Sequence, residues 1–311
     1  MMEFKHIPVM LDECIDGLQI RPEGIYLDGT LGGGGHSLQI AKRLTSGKLI
    51  AFDKDEQAIE AAKKKLALYA DNIEYVHDDF KNAPAHLDRL GIDRLDGVLL
   101  DLGVSSYQLD NAARGFSYQQ DAPLDMRMDT SQALTAKQVV NEYDEKQLAD
   151  VIYRYGEDRL SRRIAANIVR YRAAEPIITT GQLADIVEKS YPAALRWKGG
   201  NPCKRTFQAI RIEVNAELSE LDAAVSELSK RLKVGGRICI ITFHSLEDRI
   251  VKTTFAELEK SCICPPRQPV CICNKRQEIK IINKKPITAS GRELTHNTRS
   301  QSAKLRIAER V

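Results

Sequence analysis

An open, doubly wound α/β sheet carrying a helical insertion is the fold class this sequence predicts. Three observations lead there. Short apolar runs alternate with helix-spaced segments over residues 25–101; a glycine-rich turn follows the first run; and from residue 105 to about 205 the alternation yields to amphipathic helices with no strand-like run. With 311 residues, 43% of them hydrophobic, the chain can build one large core and hold an insertion.

The apolar runs at 25–27, 48–52, 73–76 and 95–100 read as four parallel strands, joined by helical segments such as 56–69, where apolar residues recur near every 3.6 positions. Right-handed crossovers between them wind an open sheet whose ligands lie at the carboxyl ends of its strands. Asp28, Asp53, Asp78, Asp79 and Asp101 all fall at such ends and would form a carboxylate rim. Helices at 144–155, 161–171 and 180–189 make up the insertion. The α/β pattern resumes with a helix over 206–232, a turn at 233–236, a strand at 237–243 and a helix at 246–260; strands at 278–282 and 303–307 would close an antiparallel edge. The expected division is therefore a sheet domain of residues 1–105 and 206–311 around an insertion of 106–205.

No apolar stretch approaches the roughly 20 residues of a membrane span, and the first residues lack the basic-then-apolar order of a signal peptide, so a cytoplasmic chain without membrane association is expected. Its seven cysteines should then be largely reduced, with metal binding as the alternative to packing. Charge is uneven: residues 262–311 hold 11 Lys/Arg against 3 Asp/Glu, and such a basic tail suits either solvent or a polyanion.

The most informative stretch is Asp28-Gly29-Thr30-Leu31-Gly32-Gly33-Gly34-Gly35-His36, directly after the first strand. Consecutive glycines permit positive φ and let a ligand lie against bare backbone, and Asp53 at the tip of the next strand is placed for a ribose diol. A dinucleotide site would read Gly-x-Gly-x-x-Gly. Here an acid precedes the glycines, which resembles the first motif of S-adenosylmethionine-dependent methyltransferases with Thr30 where the first glycine commonly stands. A tight turn without a ligand is the alternative.

Four further stretches carry a closer resemblance: residues 6–10 (HIPVM), 100–108 (LDLGVSSYQ), 114–129 (from RGFS to PLDMRMD) and 243–249 (FHSLEDR). Together they resemble the bacterial small-subunit ribosomal RNA methyltransferase H family, also called MraW, over essentially the whole length. The resemblance implies a class I, Rossmann-like methyltransferase fold with an all-helical insertion, S-adenosyl-L-methionine as cofactor, and N4-methylation of one cytidine in the decoding region of 16S rRNA within the small ribosomal subunit. It places cofactor contacts on Gly34, Gly35 and His36, on Asp53 at the ribose, on Phe80 beside adenine, and on Asp101 and Gln108 near the methionine end.

Methyl transfer to an amine needs alignment, dry surroundings and an oriented lone pair rather than a covalent nucleophile. Many amino methyltransferases supply Asn or Asp followed by Pro-Pro-aromatic after the fourth strand, whereas this chain has Asp101-Leu102-Gly103-Val104. The amine-orienting candidates are Asp101, Asp125 and His244. A flipped base would gain from aromatic surfaces, for which Phe116, Tyr118 and Trp197 stand in polar loops, though each also suits packing. Arg196, Trp197, Lys198, Lys204 and Arg205, around residues 199–202, form the candidate RNA-contact segment, with Arg211 beyond them; Arg159, Arg162, Arg163, Arg170 and Arg172 add a basic helix that would equally suit solvent.

Cys262, Cys264, Cys271 and Cys273 form two Cys-x-Cys pairs. They would close a tetrahedral zinc site if a turn at Pro265-Pro266 joined them, but the usual spacing is wider, and no metal is assigned. The closing stretch departs from the family's pattern at Thr298 and Gln301, where Pro and Arg commonly stand. Other readings stay open: a methyltransferase for another RNA or for DNA, a non-catalytic ribosome-assembly protein that keeps the glycine loop, and, least favoured, an NAD-dependent dehydrogenase.

Overall fold

The computed structural model describes residues 8–194, 196, 200–265, 268 and 270–311. The chain forms two compact units, Met1–Gly103 with Glu220–Val311, and Val104–Ser219.

In the first unit, helix α1 (Leu11–Leu18) precedes β1 (Ile25–Asp28), α2 (Gly35–Ala41), β2 (Lys48–Asp53), α3 (Glu56–Lys65), β3 (Ile73–His77), α4 (Ala83–Arg89) and β4 (Leu95–Asp101). The second unit contributes α5 (Ser106–Asp110), α6 (Ala136–Glu142), α7 (Glu145–Gly156), α8 (Ser161–Arg172), α9 (Thr180–Ser190) and α10 (Cys203–Asn215). The first unit resumes with α11 (Leu221–Lys230), β5 (Leu232–Thr242), α12 (Ser245–Glu259), β6 (Ile279–Ile281), β7 (Ile287–Thr288), α13 (Gly291–His296) and β8 (Lys304–Arg310).

The sheet runs β3-β2-β1-β4-β5-β8-β6, with β7 also paired to β8. β1 to β5 are mutually parallel, and β8 enters antiparallel to β5 and to β6, as the tail strands were expected to do. Because strand side chains alternate, Tyr26, Leu49, Ala51, Leu99, Cys239, Ile241 and Ile307 pack under α1 to α3 on one face. The intervening Leu27, Ile50, Phe52, Val98, Leu100, Ile238 and Ile240 are fully buried. Both faces being covered explains why the strands read as continuous apolar runs.

The helical unit has its own core, in which Val139, Leu148, Ile152, Ile164, Ile168, Leu183, Val187, Phe207 and Ile210 interlock. Its helices start where the sequence supplies capping boxes: Thr135 with Gln138, Asp144 with Gln147, and Thr179 with Gln182 each satisfy two otherwise orphaned N–H groups. Asn215 pins the loop before α6, accepting from the Met128 N–H at 2.7 Å and donating to the Met126 carbonyl at 2.8 Å.

Three expectations need correction. The helix read over 206–232 is two helices, broken where Ala216 and Glu220 take positive φ of 48° and 57°. The first of these, α10, packs on α7 inside the helical unit, so the units part at Ser219/Glu220 rather than at 205/206. The turn at 233–236 lies inside β5, as an irregularity in its pairing with β4 between the Leu95 and Gly97 rungs. Helix α1 lies before the first strand, outside the elements expected from the sequence.

Candidate active site

The site is built where β1, β2 and β4 end. Asp28 closes β1 and is buried and engaged, Oδ1 accepting from the Thr30 N–H at 3.1 Å and Oδ2 from the Ser37 hydroxyl at 2.6 Å. It organises the glycine loop. Gly32 and Gly34 then take φ of 48° and 69°, a region where a Cβ is strained. The loop is tied down on both sides: the Gly32 N–H donates to Asp53 Oδ2 at 2.7 Å, and the Asp101 N–H donates to Thr30 Oγ1 at 2.6 Å. Thr30, unusual for the motif, thereby links β1 to β4. A Cβ on Gly33 would meet nothing within 4 Å, so this peptide offers bare backbone to open space; one on Gly35 would stand 2.2 Å from Pro8 Cγ, which makes that glycine a packing requirement.

Asp53 ends β2. Its Oδ1 accepts from the Asp55 N–H at 2.9 Å and its Oδ2 from Gly32, which leaves about half of a carboxylate's acceptor positions open. Burial pushes its carboxyl up to about 6, against the pull of those two N–H groups. After β3, Asp78 is held by His86 Nε2 at 2.7 Å and Asn82 at 2.8 Å, and Asp79 by Lys54 at 2.8 Å. Neither serves as a free rim carboxylate. Phe80 is 9% exposed and lies against the start of the glycine loop: a Cβ on Gly29 would come within 2.8 Å of its Cβ.

Asp101 ends β4. Its Oδ2 is 3.7 Å from His36 Nδ1, while its Oδ1 is buried with no hydrogen-bond partner among the described residues. Burial, with the charges of Asp28 and Glu247, pushes this carboxyl well above the usual range. His36 is itself buried with Nε2 3.0 Å from the Val9 carbonyl, so its ring is a brace rather than an open contact. His244 caps α12. Its Nδ1 accepts from the Glu247 N–H at 3.4 Å, and its buried Nε2 lies 3.1 Å from Glu247 Oε1 without making a hydrogen bond to it, while Glu247 Oε2 accepts from the Phe243 and His244 N–H groups at 2.8 and 3.2 Å. Sequence reasoning missed Glu247; its place three residues after His244 is the capping-box position, disguised by a histidine where Ser or Thr is usual.

Gln108 and Asp125 belong to the helical unit. Gln108 is buried and its Oε1 accepts from the Ser105 N–H at 3.0 Å as the cap of α5. Asp125 is clamped by Arg127, whose Nε and Nη2 reach it at 3.0 and 2.8 Å.

These features suit S-adenosylmethionine. An orphaned, buried carboxylate oxygen on Asp101 fits a cationic donor, the remaining acceptor positions of Asp53 fit hydroxyls, and the bare Gly33 backbone needs no phosphate. The family model of the MraW methylases matches residues 3–311. The chain belongs to the MraW methylase family. It is an S-adenosylmethionine-dependent methyltransferase with a Rossmann-like fold. Curated relatives called ribosomal RNA small subunit methyltransferase H include one from Clostridium botulinum (strain Kyoto / Type A2), 55% identical over 311 residues and 100% of both chains, and one from Clostridioides difficile (strain 630), 52% identical with the same coverage. A solved rRNA methylase from Streptococcus thermophilus is similar at 14% identity and a TM-score of 0.42, over 98% of this chain and 99% of its own.

Of the RNA-contact candidates in this methylase, Lys204 and Arg205 are exposed at the start of α10. Arg196 is half-buried with its Nε unpartnered among the described residues, and Trp197 and Lys198 lie outside those residues. Arg159, Arg162, Arg163 and Arg170 are exposed. Arg172 is not available in that way, because it donates to the carbonyls of Val140 and Tyr143 at 2.6 Å each, and Arg211 is paired with Glu217 at 2.8 Å. Phe116 sits in the helical core and Tyr118 packs edge-on against Phe207 at 5.5 Å, so neither ring is an open stacking surface. Gln301 is exposed, whereas Arg306 is buried and bonds Asp248 at 2.7 Å.

Proposed function

We propose that this chain transfers the methyl group of S-adenosylmethionine to the exocyclic N4 of a cytidine in the decoding region of 16S ribosomal RNA, in the cytoplasm and on the assembled small subunit. The observation that carries the reading is the pair Asp53, whose carboxylate accepts the Gly32 N–H, and Asp101, whose own N–H donates to the Thr30 hydroxyl, at the two sides of one glycine loop, each with carboxylate oxygen capacity that the fold leaves unused. Family membership supplies the reaction class.

When bound, the cofactor supplies a sulfonium methyl that an amine displaces in line. The residues of the chain align and exclude water. Asp53 accepts from the ribose hydroxyls, Gly32 to Gly34 allow close approach, and Phe80 lines the adenine side. Among the three candidates for the amine, Asp101 is favoured: Asp125 is neutralised by Arg127, and His244, whose Nε2 is likewise without a hydrogen-bond partner among the described residues, spends its Nδ1 on the cap of α12, whereas Asp101 ends β4 tied to the glycine loop through Thr30. A hydrogen bond from cytosine N4–H to Asp101 turns the nitrogen lone pair out of conjugation. Asp101, its carboxyl pushed well above the usual range, is also the group placed to accept the proton that N4 would lose on methylation.

The substrate is proposed to be the assembled subunit because the exposed basic residues are spread over α8, α10 and the tail rather than gathered in one module. No described helix is long and apolar enough to cross a membrane. The test is transfer of labelled methyl to small subunits from a strain lacking this protein, with nucleoside mass spectrometry of the digest and Asp101→Ala as control. N4-methylcytidine made by the wild type and lost in the variant supports the reading; cofactor binding without methylated product refutes it. Equal rates on naked 16S rRNA would overturn the assembled-subunit substrate alone.

A further inference from the structure

Among its described residues, the connection between α12 and β6 has no apolar core of its own. Its large hydrophobic residues face outward, Ile263 at 61% exposed and Val270 and Ile272 at 71% each. What it gathers is sulfur. The Sγ atoms of Cys262, Cys264, Cys271 and Cys273 all lie within 4.8 Å of one another, with Cys262 to Cys271 at 3.5 Å, Cys271 to Cys273 at 3.5 Å, Cys262 to Cys273 at 3.7 Å and Cys264 to Cys271 at 3.8 Å. A tetrahedron with metal–sulfur bonds of about 2.3 Å has edges of about 3.8 Å, so these separations match one ion shared by four thiolates. They are far from the roughly 2.05 Å of a disulfide and leave no room for a multi-iron cluster.

The surrounding peptide groups fit the same occupant. The N–H groups of Ile263, Cys264 and Ile272 point to the sulfurs of Cys273, Cys262 and Cys264 at 3.4, 3.4 and 3.5 Å, the outer hydrogen bonding that stabilises charged thiolate ligands. Arg276 flanks the quartet in sequence and opposes the net negative charge of a tetrathiolate centre, while the neighbouring Lys260 and Lys275 are paired with Glu257 and Glu278. The narrow Cys-x-Cys spacing is thus no obstacle, because the two pairs supply two ligands each from facing segments; Pro266, where a joining turn was expected, lies outside the described residues.

We propose that Cys262, Cys264, Cys271 and Cys273 bind one zinc ion, a structural site that clamps the connection between α12 and β6. All four positions are filled by protein, which leaves none open for a substrate or water. The clamp is remote in kind from the methyl-transfer chemistry and acts on local order: Glu278 and Ile281 already tie the base of the segment to Leu258 and Glu259, at 2.9 and 2.8 Å, so the sheet stands without the metal.

The experiment uses the full reduced chain. Metal content is measured after purification and again after chelator treatment and anaerobic reconstitution with zinc, and cobalt is titrated into the stripped chain. The expected result is one zinc per chain, visible d–d bands of tetrahedral cobalt with near-ultraviolet thiolate charge transfer, and protection of the four thiols from a thiol reagent by zinc. Cys264→Ser should lose the metal and the protection yet bind S-adenosylhomocysteine like the wild type. A reduced chain that takes up no zinc, four thiols that react equally with and without zinc, an isolated chain that holds iron in place of zinc, or disulfides within the quartet of the freshly isolated chain would each overturn the proposal.

Discussion

Replacing Asp53 by Asn separates what this carboxylate costs the fold from what it contributes to the ligand. Its carboxyl in the folded chain sits at about 6, above an ordinary value of 3.8. The folded state therefore binds this proton more tightly than the unfolded state does. Stability from that source is fully present below about pH 4 and is lost as pH rises through 6, and at pH 8 the ionised group costs up to about 3 kcal/mol at about 1.4 kcal/mol per unit. Asn removes the charge but accepts only one of the two N–H bonds from Gly32 and Asp55, a loss of about 1 kcal/mol. Asp53→Asn should therefore stabilise the ligand-free protein by about 1–2 kcal/mol at pH 8, with no gain at pH 4.5. Ligand affinity should move the other way. Hydroxyl donors lose a charged acceptor, which at about 2–4 kcal/mol in total weakens S-adenosylhomocysteine binding roughly 30- to 800-fold. Wild-type affinity should also decline as pH falls through 6, and the variant should show a shallower decline. Urea melts at the two pH values and calorimetric titration with S-adenosylhomocysteine read both effects. Binding within twofold of wild type at pH 8, or a variant less stable there than wild type, would refute the reasoning.

Gly35→Ala places a Cβ 2.2 Å from Pro8 Cγ, so it should cost about 1–3 kcal/mol of stability by overpacking, seen as a lower urea midpoint at unchanged m-value. Glu247→Ala removes the acceptor for the Phe243 and His244 N–H groups at the start of α12 and should destabilise by about 1–3 kcal/mol, whereas Glu247→Gln, which keeps an acceptor oxygen, should recover most of that loss, as thermal melts would show. Lys204→Ala with Arg205→Ala should lower the slope of log affinity for the small subunit against log salt by about 2 while leaving stability within about 0.5 kcal/mol. Arg172→Ala should do the reverse, costing about 2 kcal/mol through two lost carbonyl bonds without altering the salt slope.

The parallel half of the sheet is legible in the chain alone, because strands covered on both faces must be continuously apolar and their crossover helices must repeat every 3.6 residues. So are the glycine loop and Asp53, since positive φ and a carboxylate at a strand tip are local requirements that residue type reveals. What a side chain faces is a tertiary matter. Asp28, Asp78, Asp79 and Asp101 are the same residue type in equivalent positions, yet Ser37, His86 and Lys54 occupy the first three while Asp101 keeps an oxygen free. Asp125 has the chemistry of a reactive group but is held by Arg127, and Arg172 belongs by sequence to a basic face but donates to the Val140 and Tyr143 carbonyls. The break between α10 and α11 was hidden because Ala216 and Glu220 are good helix formers by propensity, and only the packing of α10 on α7 shows which helix each unit keeps. The four thiols are the sharpest instance: their spacing along the chain argued against one centre, and only the folded segment brings them within 4.8 Å.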